Sequence, residues 1–141
     1  MNIELVTPKA ICIVSVHRTE RTDEENQRLH NIVLNELYVF DIPYKEVIGC
    51  YQGTLEKSIL LSLDRMDIAH AIAVRHSQDC FLVRYSDNAA YNVYAGMGMD
   101  YLGQWTEVTK EVALTKDGYT FDPSTGLYYT CIDEEKLKEV K

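Results

Sequence analysis

The segment with the most chemical content is Gly49-Cys50-Tyr51-Gln52-Gly53-Thr54-Leu55-Glu56-Lys57, which sets a phenol, a carboxylate and permissive backbone beside a turn. On residue chemistry alone its plain reading is a tight turn with a solvated glutamate. The alternative is a small polar site in which Tyr51 and Glu56 hold a ligand. Gly96-Met97-Gly98-Met99-Asp100 follows a β-prone stretch and superficially has the glycine turn of a dinucleotide or methyl-donor site. The third glycine, Gly103, is misplaced and no helix signal follows, so this piece reads as a flexible connection. His70 and His76 are six residues apart, on different sides of a helix, and read as structural or solvated, not as paired metal ligands. Cys12, Cys50, Cys80 and Cys131 are separated by 38, 30 and 51 residues. None of these is the spacing of a zinc knuckle or a redox dithiol, so they read as reduced thiols. The Gly-x4-Gly-Lys-Ser/Thr, His-Glu-x-x-His and Gly-x-Ser-x-Gly patterns are absent.

The elements that must position these residues belong to a chain of 141 residues, the size of one domain, spanning 1–141. Hydrophobic residues make up 46% of it, enough for a core. No apolar run approaches the ~18 residues of a membrane span, and Met1 to Leu5 lacks a basic n-region and an apolar h-region. The expectation is a cytoplasmic chain with no membrane partner. With 14 Lys and Arg against 22 Asp and Glu, the net charge is −8. That balance argues against a nucleic-acid backbone binder. It leaves open an acidic DNA mimic, although the 14 basic residues interleave with the acidic ones and no long Asp/Glu array exists.

Ala10 to Val16 is a continuous β-prone run, the pattern of a strand buried on both faces. Thr22-Asp23-Glu24-Glu25 is a capping box, and Leu29, Ile32, Val33, Leu37 and Phe40 recur at helical spacing, predicting a helix over 23–40. Strands are predicted over 44–51 and 57–63, joined by Gln52 to Glu56 as a hairpin loop. Asp64 is expected to cap a second helix over 65–76; strands over 80–85 and 91–95 follow. The order β-α-β-β-α-β plus one strand predicts an α+β, ferredoxin-like fold with two helices on one face of an antiparallel sheet. Its other face would lie open to a partner. From Gly96 the chain reads as irregular up to a late hairpin formed by Tyr119–Phe121 and 127–132, and 133–141 reads as a charged helix. The core is thus expected within about 10–95.

Several stretches, taken together, resemble the small phage-encoded S-adenosylmethionine (SAM) lyases, formerly called SAM hydrolases. They are Val14-Ser15-Val16-His17-Arg18 with Asp23-Glu24-Glu25-Asn26, Gly49-Cys50-Tyr51 with Glu56-Lys57, Gln78-Asp79-Cys80-Phe81-Leu82-Val83, Val93-Tyr94-Ala95, and Glu107-Val108. They fall in the same order with similar gaps over roughly residues 10–130, so the resemblance rests on collinearity.

That resemblance implies an α/β sandwich similar to the trimeric PII-type signalling proteins, with active sites at the interfaces of a homotrimer. It implies an intramolecular reaction in which the substrate's carboxylate attacks its own γ-carbon, expels 5′-methylthioadenosine and leaves homoserine lactone, with no water, metal or cofactor taking part. In the host cell such depletion of the methyl donor counters restriction–modification systems. By the same resemblance Glu56 matches a functional carboxylate and Tyr51 a family tyrosine, the catalytic pair expected here. Ser15, Arg18, Gln78 and Asp79 match by segment as substrate-binding residues, and Glu107 is a further candidate. Tyr91, Tyr94, Tyr101 and Trp105 offer a face to adenine or pack a core. A nucleotide- or SAM-binding module that does not consume its ligand is the alternative without catalysis.

Overall fold

The structure, a computed structural model, describes residues 9–94 and 98–133. Strand β1 (Ile11–Ser15) is buried at all five positions, as its apolar run requires. Helix α1 (Asp23–Val39) starts at Thr22, whose hydroxyl accepts the Glu25 N–H at 3.1 Å, with Asp23, Glu24 and Glu25 at the positive end of the helix dipole. Its buried face is Asn26, His30, Val33 and Leu37, rotated from the expected stripe, so that Ile32 and Phe40 are exposed. Strands β2 (Lys45–Tyr51) and β3 (Thr54–Ser62) follow. A turn of 3-10 helix, Leu63–Arg65, leads into α2 (Met66–Arg75); Asp64 lies inside that turn and does not cap the helix.

The hairpin between β2 and β3 is tighter than expected. Gln52 and Gly53 alone make the turn, both with positive φ (50° and 84°), and Tyr51 pairs with Thr54. This is the backbone that favours a strongly twisted two-residue hairpin. Glu56 therefore sits within β3, opposite Gly49, rather than in a loop.

Beyond α2 come β4 (Cys80–Arg84), β5 (Ala89–Tyr94), β6 (Met99–Val108), the single turn α3 (Lys110–Ala113), β7 (Gly118–Asp122) and β8 (Leu127–Ile132). All pairings are antiparallel, and the described strands close into a barrel in the order β1-β3-β2-β7-β8-β6-β5-β4, with β4 returning to β1. This overturns the ferredoxin-like, PII-like sandwich expected from the sequence. The first six elements do follow β-α-β-β-α-β, and their strands lie as β4-β1-β3-β2, but the sheet continues from both sides until it meets itself.

The segment that closes it is β6, ten residues where an irregular stretch was expected. Met99-Asp100-Tyr101-Leu102-Gly103-Gln104-Trp105-Thr106-Glu107-Val108 has no apolar run and carries a glycine at its centre. That glycine is required. A Cβ on Gly103 would stand 2.5 Å from the carbonyl carbon of Ile132, and its φ is +126°. It lies beside a register shift at Ala90/Tyr91, the kind of irregularity that lets a sheet curl. The late hairpin is present as β7 and β8, whereas the Gly96-Met97 part of the glycine turn and residues 134–141 of the expected terminal helix lie outside the described residues.

Closure divides every strand between helix side and lumen. Outside, Val33 and Leu37 of α1 and Ala69, Ile72 and Ala73 of α2 pack on Cys12, Val14, Ile59, Leu61, Phe81 and Val83. Ile59 and Leu61 are fully buried there, each contributing about 1.5–3 kcal/mol by the area it removes from water. Inside, Ile11, Ile13 and Val47 pack with Leu60, Leu82 and Trp105 and fill the middle of the lumen, as expected of an eight-stranded barrel. The sheet face expected to lie open is this filled interior.

Candidate active site

At the end of the barrel where β1 and β2 finish and β3 and β4 begin, the lumen-facing positions change from apolar to polar. Ser15, Glu56, Ser58 and Cys80 occupy them, in register around β1, β3 and β4. The side chain of Glu56 is 30% exposed, and its Oε2 lies 3.3 Å from His17 Nδ1. Burial pushes the Glu56 carboxyl above the ordinary carboxylate range; the His17 charge and the nearby Ser15 hydroxyl pull it back only in part. Glu56 and His17, with Val16, Asp23, Asn26, Gln27, His30, Leu55 and Lys57, line a cavity of about 160 Å³ between the start of α1 and the start of β3.

The chain after β1 is fixed despite having no regular structure. Ser15 Oγ accepts the His17 N–H at 3.0 Å and donates to the Lys57 carbonyl at 3.2 Å. Gln78 Nε2 donates to the His17 carbonyl at 2.9 Å. Asn26, buried on α1, accepts the Arg18 N–H and donates to the Arg18 carbonyl, both at 3.0 Å. The Arg18 guanidinium donates to Glu20 and to the Ser77 carbonyl, tying this loop to the one before β4. Ser15, Arg18, Gln78 and Glu56 are thus brought together, Arg18 and Gln78 as struts of the His17 loop.

Tyr51 is two residues from Gly49 on the same face of β2 and 66% exposed at the hairpin tip. Its partner is Thr54, which makes Glu56 its diagonal neighbour, a spacing of about 7–8 Å that long side chains can bridge. Gly49 faces Glu56 directly: a Cβ there would meet Ser58 Oγ at 3.3 Å and Glu56 Cγ at 3.8 Å. Asp79 is exposed. Burial first, then the charges of Asp79, Asp100 and Glu56, push the Cys80 thiol upward, so these carboxylates surround one rim.

Glu107 is elsewhere. It lies near the end of β6, which runs opposite to β1 and β2, and is four strands from Glu56 in either direction around the barrel. Its neighbours are Tyr129 and, through Tyr129, Asp122 and Arg84. The four aromatic candidates also separate. Tyr91 and Tyr101 meet on the outer face at 5.3 Å, Trp105 stacks on Tyr129 in the lumen at 5.3 Å, and Tyr94 pairs with Cys80. His76 is buried beside Arg75, and His70 packs edge-on to Phe81.

The model of one protein family, the S-adenosylmethionine lyase family, matches residues 12–132, spanning all eight strands but for the first residue of β1. The chain belongs to that family. No curated protein matches it. The family's activity is that of a lyase on SAM, so the small-molecule substrate carries a sulfonium and, on its amino-acid tail, an ammonium and a carboxylate. For a SAM lyase the polar rim has suitable chemistry: a half-buried carboxylate beside an apolar lumen attracts a cation more strongly than a solvated one does.

Four residues of the candidate site were given no role in the sequence reading: His17, Asn26, His30 and Gly49. His30 is 2% exposed, with Nε2 at 2.9 Å from Glu46 Oε1 and no partner for Nδ1 among the described residues. The available signal was polar Asn26 and His30 at helical spacing with Val33 and Leu37, a polar entry on a buried face.

Proposed function

We propose that this lyase breaks SAM by intramolecular displacement, giving 5′-methylthioadenosine and homoserine lactone. The substrate's carboxylate oxygen bonds to its own γ-carbon as the carbon–sulfur bond breaks, and the sulfur keeps that electron pair. No proton moves. The protein's task is to fold the amino-acid tail so that oxygen, carbon and sulfur align, a proximity effect that can supply up to about 7–11 kcal/mol. Opposite charges cancel as the bond forms, so an apolar, water-poor surround favours the transition state. In this reading Glu56 holds the substrate ammonium and Tyr51 the amino-acid end. Ser15 and Gln78 position the loop that carries His17, Arg18 braces it, and Asp79 stands at the rim. Glu107 is not assigned a role.

The observation that carries this reading is the juxtaposition of a desolvated carboxylate, Glu56, with a glycine directly across the strand pair and a tyrosine on its diagonal. The cavity beside it, about 160 Å³, is well below the roughly 300–1,000 Å³ of small-molecule sites. That supports a site completed by a second copy, as in the homotrimer the resemblance implies. Exposed Tyr51 and Leu55 at the hairpin tip are the apolar surface it would cover. Depletion of the methyl donor to counter restriction–modification is the role that follows. Incubation with SAM and NMR of the products tests the chemistry. Methylthioadenosine with the lactone is expected; absence of methylthioadenosine refutes the activity, and homoserine ahead of lactone refutes the displacement.

A further inference from the structure

We propose that His17 is a positioning residue for Glu56, its imidazole holding the carboxylate charged and aimed at the cavity between α1 and β3. The inference rests on the reading of Glu56 given above and adds a residue to it. Three observations carry it. His17 Nδ1 lies 3.3 Å from Glu56 Oε2, within ion-pair distance, so an imidazolium there favours the charged carboxylate. The imidazole is only 18% exposed, which weakens competition from water. Its backbone is pinned on both sides, the N–H by Ser15 and the carbonyl by Gln78, with Asn26 clamping the next residue. A loop residue held at so many points is built to present its side chain in one place.

Other groups do not replace it. Lys57 lines the same cavity, but it follows Glu56 on β3 and so leaves the strand on the opposite face. On α1, Asp23 is anionic and His30 is engaged with Glu46. From β4, Cys80 faces Glu56 as a thiol that burial keeps protonated. Burial works to neutralise Glu56, and His17 is the chief opposing influence, ahead of Ser15. Without it the carboxyl would take up a proton at higher pH and release the substrate ammonium.

The test is the pH profile of SAM cleavage, followed as methylthioadenosine release, for the full chain and for His17→Phe, His17→Asn and Glu56→Gln. His17→Phe is expected to move the acidic limb of kcat/KM upward by at least half a pH unit, about a threefold loss below the limb. His17→Asn, which keeps an N–H where Nδ1 stood, is expected to recover at least half of that shift. An unmoved limb in His17→Phe, or Asn no better than Phe, overturns the inference. Should the Phe variant fail to fold, His17→Ala makes the same comparison. Glu56→Gln separates the two layers. If it cleaves SAM as the unmodified chain does, the reading of Glu56 falls; if it is impaired while His17→Phe keeps the normal profile, only the role of His17 falls.

Discussion

Replacing Glu56 by Gln keeps the volume of the side chain and removes its charge, and the two consequences have different sizes. In the folded chain the carboxylate gains from His17, a pair with 18% and 30% of its side chains exposed; such pairs contribute about 0–1 kcal/mol. Against that stands the cost of burying the charge, the largest influence on this group. The folded chain binds the Glu56 proton more tightly than the unfolded chain does. Stability from this group is therefore complete below the unfolded carboxyl value and is lost as pH rises through the higher, folded one. At neutral pH the ionised Glu56 destabilises the fold, and the amide relieves that. The net change stays within about 1 kcal/mol, or roughly 3–4 °C in Tm for a domain of this size. Turnover loses a charge-assisted bond to the substrate ammonium, about 1.5–3 kcal/mol, which is roughly 10–150-fold in kcat/KM. Thermal melts at pH 7 and pH 4.5 beside product assays make the comparison. A variant that loses ten degrees or more, or one that keeps full kcat/KM, refutes the assignment of Glu56 to the substrate.

Two predictions concern the frame that holds the site. Gly103→Ala puts a methyl against the Ile132 carbonyl at an unfavourable φ and is expected to cost at least about 3 kcal/mol. Urea denaturation reads this out, and a loss under 1 kcal/mol would show that β6 and β8 can separate freely. Asp122 is paired with Lys45 and accepts from Ser124 Oγ at 2.7 Å and Ser124 N at 2.9 Å. Asp122→Asn is expected to cost about 1–3 kcal/mol at neutral pH by leaving Lys45 uncompensated. Its urea midpoint should fall with SAM cleavage per folded molecule unchanged, since this pair lies at the far end of the barrel.

The sequence allowed β1, α1, the β2–β3 hairpin, α2, β4 and the late hairpin to be read because each carries a local signal: an apolar run, a capping box, a glycine turn. Closure had no such signal. It depends on β6, whose Asp100, Gly103, Gln104 and Glu107 hide a strand from any test of apolar alternation, and on pairings between residues far apart, such as Gly49 with Thr120. For the candidate site, family resemblance pointed to Glu56, Tyr51 and Ser15, and β1, β2 and β3 bring these three to one end of the barrel. His17 was inside a recognised segment yet silent, because its meaning comes from a carboxylate 39 positions later. Glu107, a further candidate from the same collinear series, is carried by β6 to the other mouth of the barrel, a placement that its position in the series did not reveal.

Because the eight described strands meet in a ring, every one of them already has a neighbour on both sides. Among the described strands no bare row of amides and carbonyls is left for another molecule to zip onto, the route by which many sheet proteins associate or aggregate. Any association along these strands would therefore rest on side chains. Substitutions at exposed positions such as Tyr51 and Leu55 can then vary the surface without touching the backbone ladder that shapes the lumen.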